Sequence, residues 1–171
     1  MTMKRLILLT LLTVPLYLFS CQSAENKDNE QKTENKEIET SDDISSEKAT
    51  IQITKEEFKE KVMDYVNNKE WNFAGDKPCL VDFYADWCAP CRITSPILED
   101  LAKKYEDQIH IYKVDVDKEK ELASVFGIRG IPTFLYCPME GKPTMSSGIG
   151  QSKEETKQMF IDNIEKILLK D

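Results

Sequence analysis

Histidine occurs once in the 171 residues, as His110, and glycine only six times. His110, Cys79 and Cys137 do not fall in metal-ligand spacing, so a zinc site is not expected and no metal is assigned. None of the glycines belongs to a nicotinamide- or flavin-binding signature, so no bound cofactor is expected. Cationic excess is also missing. The net charge is −8, which removes the basic footprint of nucleic-acid binding. No internal repeat is present. No apolar run is long enough to span a bilayer, because Leu6 to Phe19, interrupted by Pro15, falls short of the ~20 residues required.

That run follows Lys4-Arg5, a basic n-region. Residues 1–20 therefore read as a signal peptide, the alternative being an uncleaved membrane anchor. The run ends Leu18-Phe19-Ser20-Cys21, which resembles the lipobox of bacterial lipoproteins. The resemblance implies that Cys21 carries diacylglycerol and becomes the mature N-terminus, held at a membrane by its lipid. Residues 22–49 hold nine acidic and four basic residues and no aromatics. Ile38 and Ile44 are too few large apolar residues to offset the entropy of ordering, so the segment reads as a disordered acidic tether. A flexible tether of that length reaches about 30 Å. Residues 50–171 remain as one mildly acidic domain, large enough to bury a core.

Within the domain, Ala49 to Thr54 alternates Ile51 and Ile53 as a short strand. Thr54 caps a helix with Glu57 at the capping-box position and Phe58, Val62, Tyr65 and Val66 on its apolar face. Cys79 to Tyr84 is a nearly continuous apolar run, the pattern of a central strand covered on both faces. The next helix starts near Cys88 and carries Ile97, Leu98, Leu101, Ala102 and Tyr105. Ile109 to Val116 is a strand, Leu122 to Phe126 a short helix, and Thr133 to Cys137 a strand. Glu140-Gly141 turns the chain into a further strand ending near Gly150. Ser152 opens a last helix through Met159, Phe160, Ile164, Ile167 and Leu168. The order β-α-β-α-β-α-β-β-α gives a central sheet with helices on both faces.

Trp87-Cys88-Ala89-Pro90-Cys91 carries the chemistry. Two cysteines separated by two residues can close and reopen a small disulfide ring. Cys88 falls at the helix N-terminus, where free N–H groups and the helix dipole stabilise a thiolate. Pro90 suits the first helical turn, since its missing N–H has no intrahelical partner there. Cys91 lies one turn further in and is expected to be the more buried. Cys88 is the attacking thiol and Cys91 resolves the mixed disulfide. Asp82 stands out because an acid inside Leu-Val-Phe-Tyr is costly unless protonated, paired or hydrated. A surface carboxylate on an edge strand is its alternative reading. Cys79 and Cys137 sit near the ends of strands expected to be antiparallel neighbours and are expected as two buried thiols. His110 is expected to be structural.

Two separated stretches, Leu80 to Cys91 and Phe126-Gly127-Ile128-Arg129-Gly130-Ile131-Pro132-Thr133, closely resemble the thioredoxin family. Pro96-Ile97-Leu98, Lys113-Val114-Asp115 and Gly150 fit it too. The likeness covers about 120 residues, all but the anchor and tether. It implies a single mixed β-sheet flanked by helices on both faces and a redox-active Cys88–Cys91 disulfide. It also implies a cis Ile131-Pro132 bond facing the cysteines. Asp82 would lie beneath Cys91 with Lys113 nearby, the two passing a proton to or from Cys91. Trp87, Ala89, Pro90, Val116, Ile131 and Gly150 would rim a shallow apolar groove for the target. Ala89 stands where the family usually has Gly, and Tyr84 where Trp is common.

The whole reading is a monomeric, lipid-anchored, extracytoplasmic thiol-disulfide oxidoreductase that reduces disulfides of exported proteins. Its electrons would come from a membrane dithiol reductase. Two rivals keep the fold. One is an oxidase or isomerase, and the other an adaptor dedicated to one client, as in cytochrome c biogenesis.

Overall fold

A computed structural model describes residues 48–170. The expected signal segment, Cys21 and the tether up to residue 47 lie outside the described residues. Among those described, no helix is long and apolar enough to cross a membrane.

The expected element order is present. Strands β1 (Ile51–Gln52), β2 (Cys79–Tyr84), β3 (His110–Asp115), β4 (Thr133–Cys137) and β5 (Thr144–Ser147) alternate with helices α1 (Lys55–Lys61), α2 (Ala89–Lys104), α3 (Lys120–Val125) and α4 (Lys153–Asn163). A π-helical turn, Ile164–Leu168, extends α4. The strands form one mixed sheet in the order β1-β3-β2-β4-β5. β1, β3 and β2 are parallel, while β4 runs antiparallel to both β2 and β5.

The period-2 alternation of side chains divides the core between the two faces of this sheet. Leu80, Ile111, Phe134 and Tyr136 pack with Ile97, Leu98 and Leu101 of α2 and with Phe160 and Ile164 from the last helix. Cys79, Val81, Phe83, Val114 and Leu135 pack with Phe58 of α1 and Leu122 of α3. β2 is thus covered on both sides, as its sequence required. Its only acid, Asp82, is fully buried on the same side as Leu80.

Local boundaries differ from expectation in four places. β1 holds only Ile51 and Gln52; Ile53 is buried beyond the strand, and Ile51 on the sheet edge is exposed. α1 begins as expected, with the complete Thr54–Glu57 capping box, a device worth about 1 kcal/mol. It stops at Lys61 rather than running to Val66. The Asp64 carboxylate accepts from the backbone N–H groups of Val66 and Asn67 at 3.2 and 3.1 Å. That local bonding competes with the helix ladder and leaves Val66 exposed. α3 starts at Lys120, ahead of the expected Leu122. β5 ends at Ser147 rather than near Gly150. Gly148 takes φ +82°, which bends the chain out of the strand at a position suited to glycine.

Cys79 and Cys137 face each other across β2 and β4. Both are fully buried free thiols. Burial and the neighbouring Cys79 push the Cys137 thiol well up, and full burial shuts both sulfurs off from any disulfide partner. Peptide mapping of the oxidised protein is therefore expected to recover Cys79 and Cys137 unbridged, with alkylation at both only after denaturation. A Cys79–Cys137 cross-linked peptide from native protein would contradict this. His110 lies at the same end of β2 and pairs with Asp76 at 3.1 Å, which gives it the expected structural place.

Candidate active site

β2 ends at Tyr84, and a tight turn, closed by Cys88 N–H donating to Ala85 O at 3.1 Å, delivers the chain into α2. Cys88 is the N-cap, with extended backbone, and Pro90 occupies the first turn. The Cys91 N–H donates to Cys88 Sγ at 3.2 Å. When the pair is reduced, that N–H and the helix dipole favour a thiolate on Cys88. Cys88 and Cys91 form a disulfide with Cα atoms 5.3 Å apart. Thr94 Oγ1 donates to Cys91 O at 3.0 Å and tightens the turn beneath it.

Contrary to expectation, Cys91 is not the more buried of the two by residue exposure, since each cysteine is 4% exposed. The disulfide itself holds Cys88 against Cys91. Ala85, Tyr84, Val116 and Ile131 close around both. The structure therefore brings Val116 and Ile131 against the cysteines. Ala89 and Pro90 are exposed beside them, and Trp87 is 67% exposed. Gly150 has a different constraint. A Cβ there would meet Glu155 of α4 at 2.8 Å, so it permits close approach of the last helix. The Ile131–Pro132 bond is cis. Gly148 N–H donates to Pro132 O at 3.1 Å, tying this loop to the end of β5.

Asp82 and Lys113 are register partners on β2 and β3. Both Asp82 carboxylate oxygens are buried and lack a hydrogen-bond partner. Lys113 Nζ stands 3.5 Å from Asp82 Oδ2. Burial pushes the Asp82 carboxyl up to about 6, and the positive charge of Lys113 acts in the opposite direction. Such a group changes protonation near neutral pH, as a proton acceptor for a thiol requires. Lys113 and Cys91 line one cavity of about 180 Å³, with Tyr84, Ala85, Asp86, Arg92 and Ser95.

Three site contacts were not read from the sequence. Trp87 Nε1 donates to Asp117 Oδ2 at 2.8 Å. Lys113 Nζ donates to Ser95 Oγ at 2.8 Å. The same Nζ lies 4.4 Å from the centre of the Tyr84 ring. The Trp87 indole offered one signal, a donor in need of an acceptor. Nothing local marked Ser95, which lies 18 residues from its partner.

The comparisons agree with this geometry. The family described as Thioredoxin matches residues 49–163. The chain is 52% identical to the thioredoxin of Borreliella burgdorferi over 101 residues, which cover 59% of this chain and 86% of that protein. It is 40% identical to thioredoxin 1 of a Nostoc species over 87 residues, 51% of this chain and 72% of the relative. It is 41% identical to the thioredoxin of Alicyclobacillus acidocaldarius over 88 residues, 52% and 83% of the respective chains. With its mixed five-stranded sheet, cis Ile131–Pro132 bond and Cys88–Cys91 disulfide, the chain belongs to the thioredoxin family and is a thiol-disulfide oxidoreductase.

Proposed function

We propose that this oxidoreductase works on the far side of a membrane, held there by a lipid on Cys21, and reduces disulfides of exported proteins. The observation that carries the location is the order Lys4-Arg5, Leu6 to Phe19, Leu18-Phe19-Ser20-Cys21, a basic, apolar, lipobox-like sequence. Reduction is favoured over oxidation by the buried Asp82 beside Lys113, which suits proton removal from Cys91.

The exchange balances as follows. The Cys88 thiolate attacks one sulfur of the client disulfide and expels the other as a thiolate. Cys91 loses its proton to Asp82, directly or through a water, and attacks Cys88 Sγ. The second client sulfur leaves as a thiolate, and both client thiolates take up protons. The client gains two electrons and Cys88–Cys91 becomes the disulfide seen here. A membrane dithiol reductase would return the pair to the reduced state.

Alkylation trapping in intact cells tests the direction. A reductase is held mostly as the Cys88/Cys91 dithiol, whereas a pair held mostly as the disulfide would favour an oxidase. The anchor has its own test. Mass spectrometry of the native N-terminus is expected to find diacylglyceryl-Cys21. Cys21→Ala should abolish lipid attachment and processing while leaving the reductase rate of purified protein unchanged. An unmodified Cys21, or cleavage at another bond, would defeat the anchor.

A further inference from the structure

Lys113 has two competing oxygen partners, and the neutral one holds it more closely. Its ammonium donates to Ser95 Oγ at 2.8 Å but remains 3.5 Å from Asp82 Oδ2. Neither Asp82 oxygen has a partner closer than the 3.5 Å contact with Lys113, although that ammonium carries three donors. An unrestrained ammonium beside a buried carboxylate would close to the ~2.7–2.9 Å of a charge-assisted hydrogen bond. Ser95 lies on α2, about one turn beyond Cys91. Both the helix and the lysine are therefore referenced to the same hydroxyl.

Two surface cavities flank this arrangement. One of about 460 Å³ reaches Lys48, Gln52 and Glu99. The other, of about 180 Å³, reaches Cys91. Tyr84, Asp86, Ser95 and Lys113 line both, so the Ser95–Lys113 pair stands where the two meet. The other charges near it come from several elements. Asp86 lies on the β2–α2 turn, and Arg92 and Glu99 on α2. Lys48 precedes β1, and Asp115 ends β3. Arg92 donates to Asp86 O, Glu99 accepts from Thr50, and Asp115 pairs with Lys118. On the β4 side Asp82 faces Phe134, which brings no charge. Lys113 is the charged group acting on Asp82.

We propose that Ser95 is a positioning residue: it holds the Lys113 ammonium back from Asp82 and so keeps the carboxylate able to accept the Cys91 proton. This rests on the reading of Asp82 as the proton partner of Cys91. Without the hydroxyl, Lys113 closes on Asp82 and stabilises its ionised form. Asp82 then becomes a weaker base for the thiol.

The test is a carbon-detected NMR titration of the Asp82 carboxyl in the oxidised full chain. In Ser95→Ala the midpoint is expected to fall by about half a pH unit or more, roughly threefold in the ionisation ratio. Ser95→Thr, which keeps the hydroxyl, should hold the wild-type midpoint. In a Lys113→Met background, adding Ser95→Ala should change nothing further. The pH profile of mixed-disulfide decay should move to lower pH with the NMR midpoint. An unchanged midpoint in Ser95→Ala overturns the inference. So does a raised one, which would mean that Ser95 holds Lys113 toward the carboxylate. If Asp82→Asn leaves mixed-disulfide decay unaltered, the proton-partner reading fails on its own, and the NMR midpoints still judge whether Ser95 restrains Lys113.

Discussion

Cys88→Ser is expected to reduce insulin disulfide reduction to the uncatalysed background, whereas Cys91→Ser should retain the first attack and accumulate mixed disulfides with clients. The two cysteines differ in what surrounds them. Cys88 caps α2 and receives the Cys91 N–H at 3.2 Å, so negative charge at its sulfur is stabilised before any substrate arrives. Removing it takes away the nucleophile. Removing Cys91 takes away only the group that expels the client from Cys88. Non-reducing gels of cells expressing each variant separate these outcomes. Client adducts on Cys91→Ser and none on Cys88→Ser is the expected result. Adducts through Cys91 in the Cys88→Ser protein would reverse the roles.

Most of this site was legible because its information is local. A dithiol needs two cysteines at one spacing, a helix start and a proline in the first turn, and residues 87–91 carry all of it in one stretch. The central position of β2 was legible for a similar reason. Five of its six residues are apolar or aromatic, so an acid among them had to be buried and functional or badly placed. What was missed depends on partners distant in sequence or on turn geometry. Asp117 meets Trp87 from 30 residues away. Ser95 meets Lys113 only because α2 packs on the face of the sheet to which Asp82 belongs. The end of α1 was misread because Phe58, Val62, Tyr65 and Val66 keep a helical period. Asp64 nevertheless captures the next backbone N–H groups. Tyr65 still reaches the core from the turn, edge-on to Phe58 and Phe126 with ring centres 6.2 Å apart in each case. Burial of an apolar ring is thus compatible with more than one backbone path to it.

Asp82→Asn should separate the two halves of the exchange. The first attack by Cys88 needs no proton from Asp82 and should proceed at close to the wild-type rate near neutral pH. Decay of the mixed disulfide should slow. An unassisted thiol with a pKa near 8.5 is only about 3% ionised at pH 7, so losing its base can cost up to roughly 30-fold. The loss should shrink to about twofold by pH 8.5, where half of such a thiol ionises unaided. In the wild type the same step should gain speed as pH rises through about 6, where Asp82 ionises. The variant should lack that rise. Stability should respond with the opposite sign. Asp82 holds its proton more tightly in the folded chain, about 6 against 3.8 for an ordinary aspartate. Between those values the unfolded state has lost the proton that the folded state keeps. Its contribution to stability is therefore fully present below about pH 4 and is lost as pH rises through about 6, on the order of 2–3 kcal/mol in all. Asp82→Asn should remove that slope, so denaturant midpoints of the variant and wild type should differ more at pH 7.5 than at pH 4. Stopped-flow traces with separate signals for formation and decay of the mixed disulfide, set beside urea titrations across the same pH range, measure both effects on one pair of proteins. Unchanged decay from pH 6 to 9 would remove Asp82 from the chemistry. A persisting stability slope would place the titrating group elsewhere.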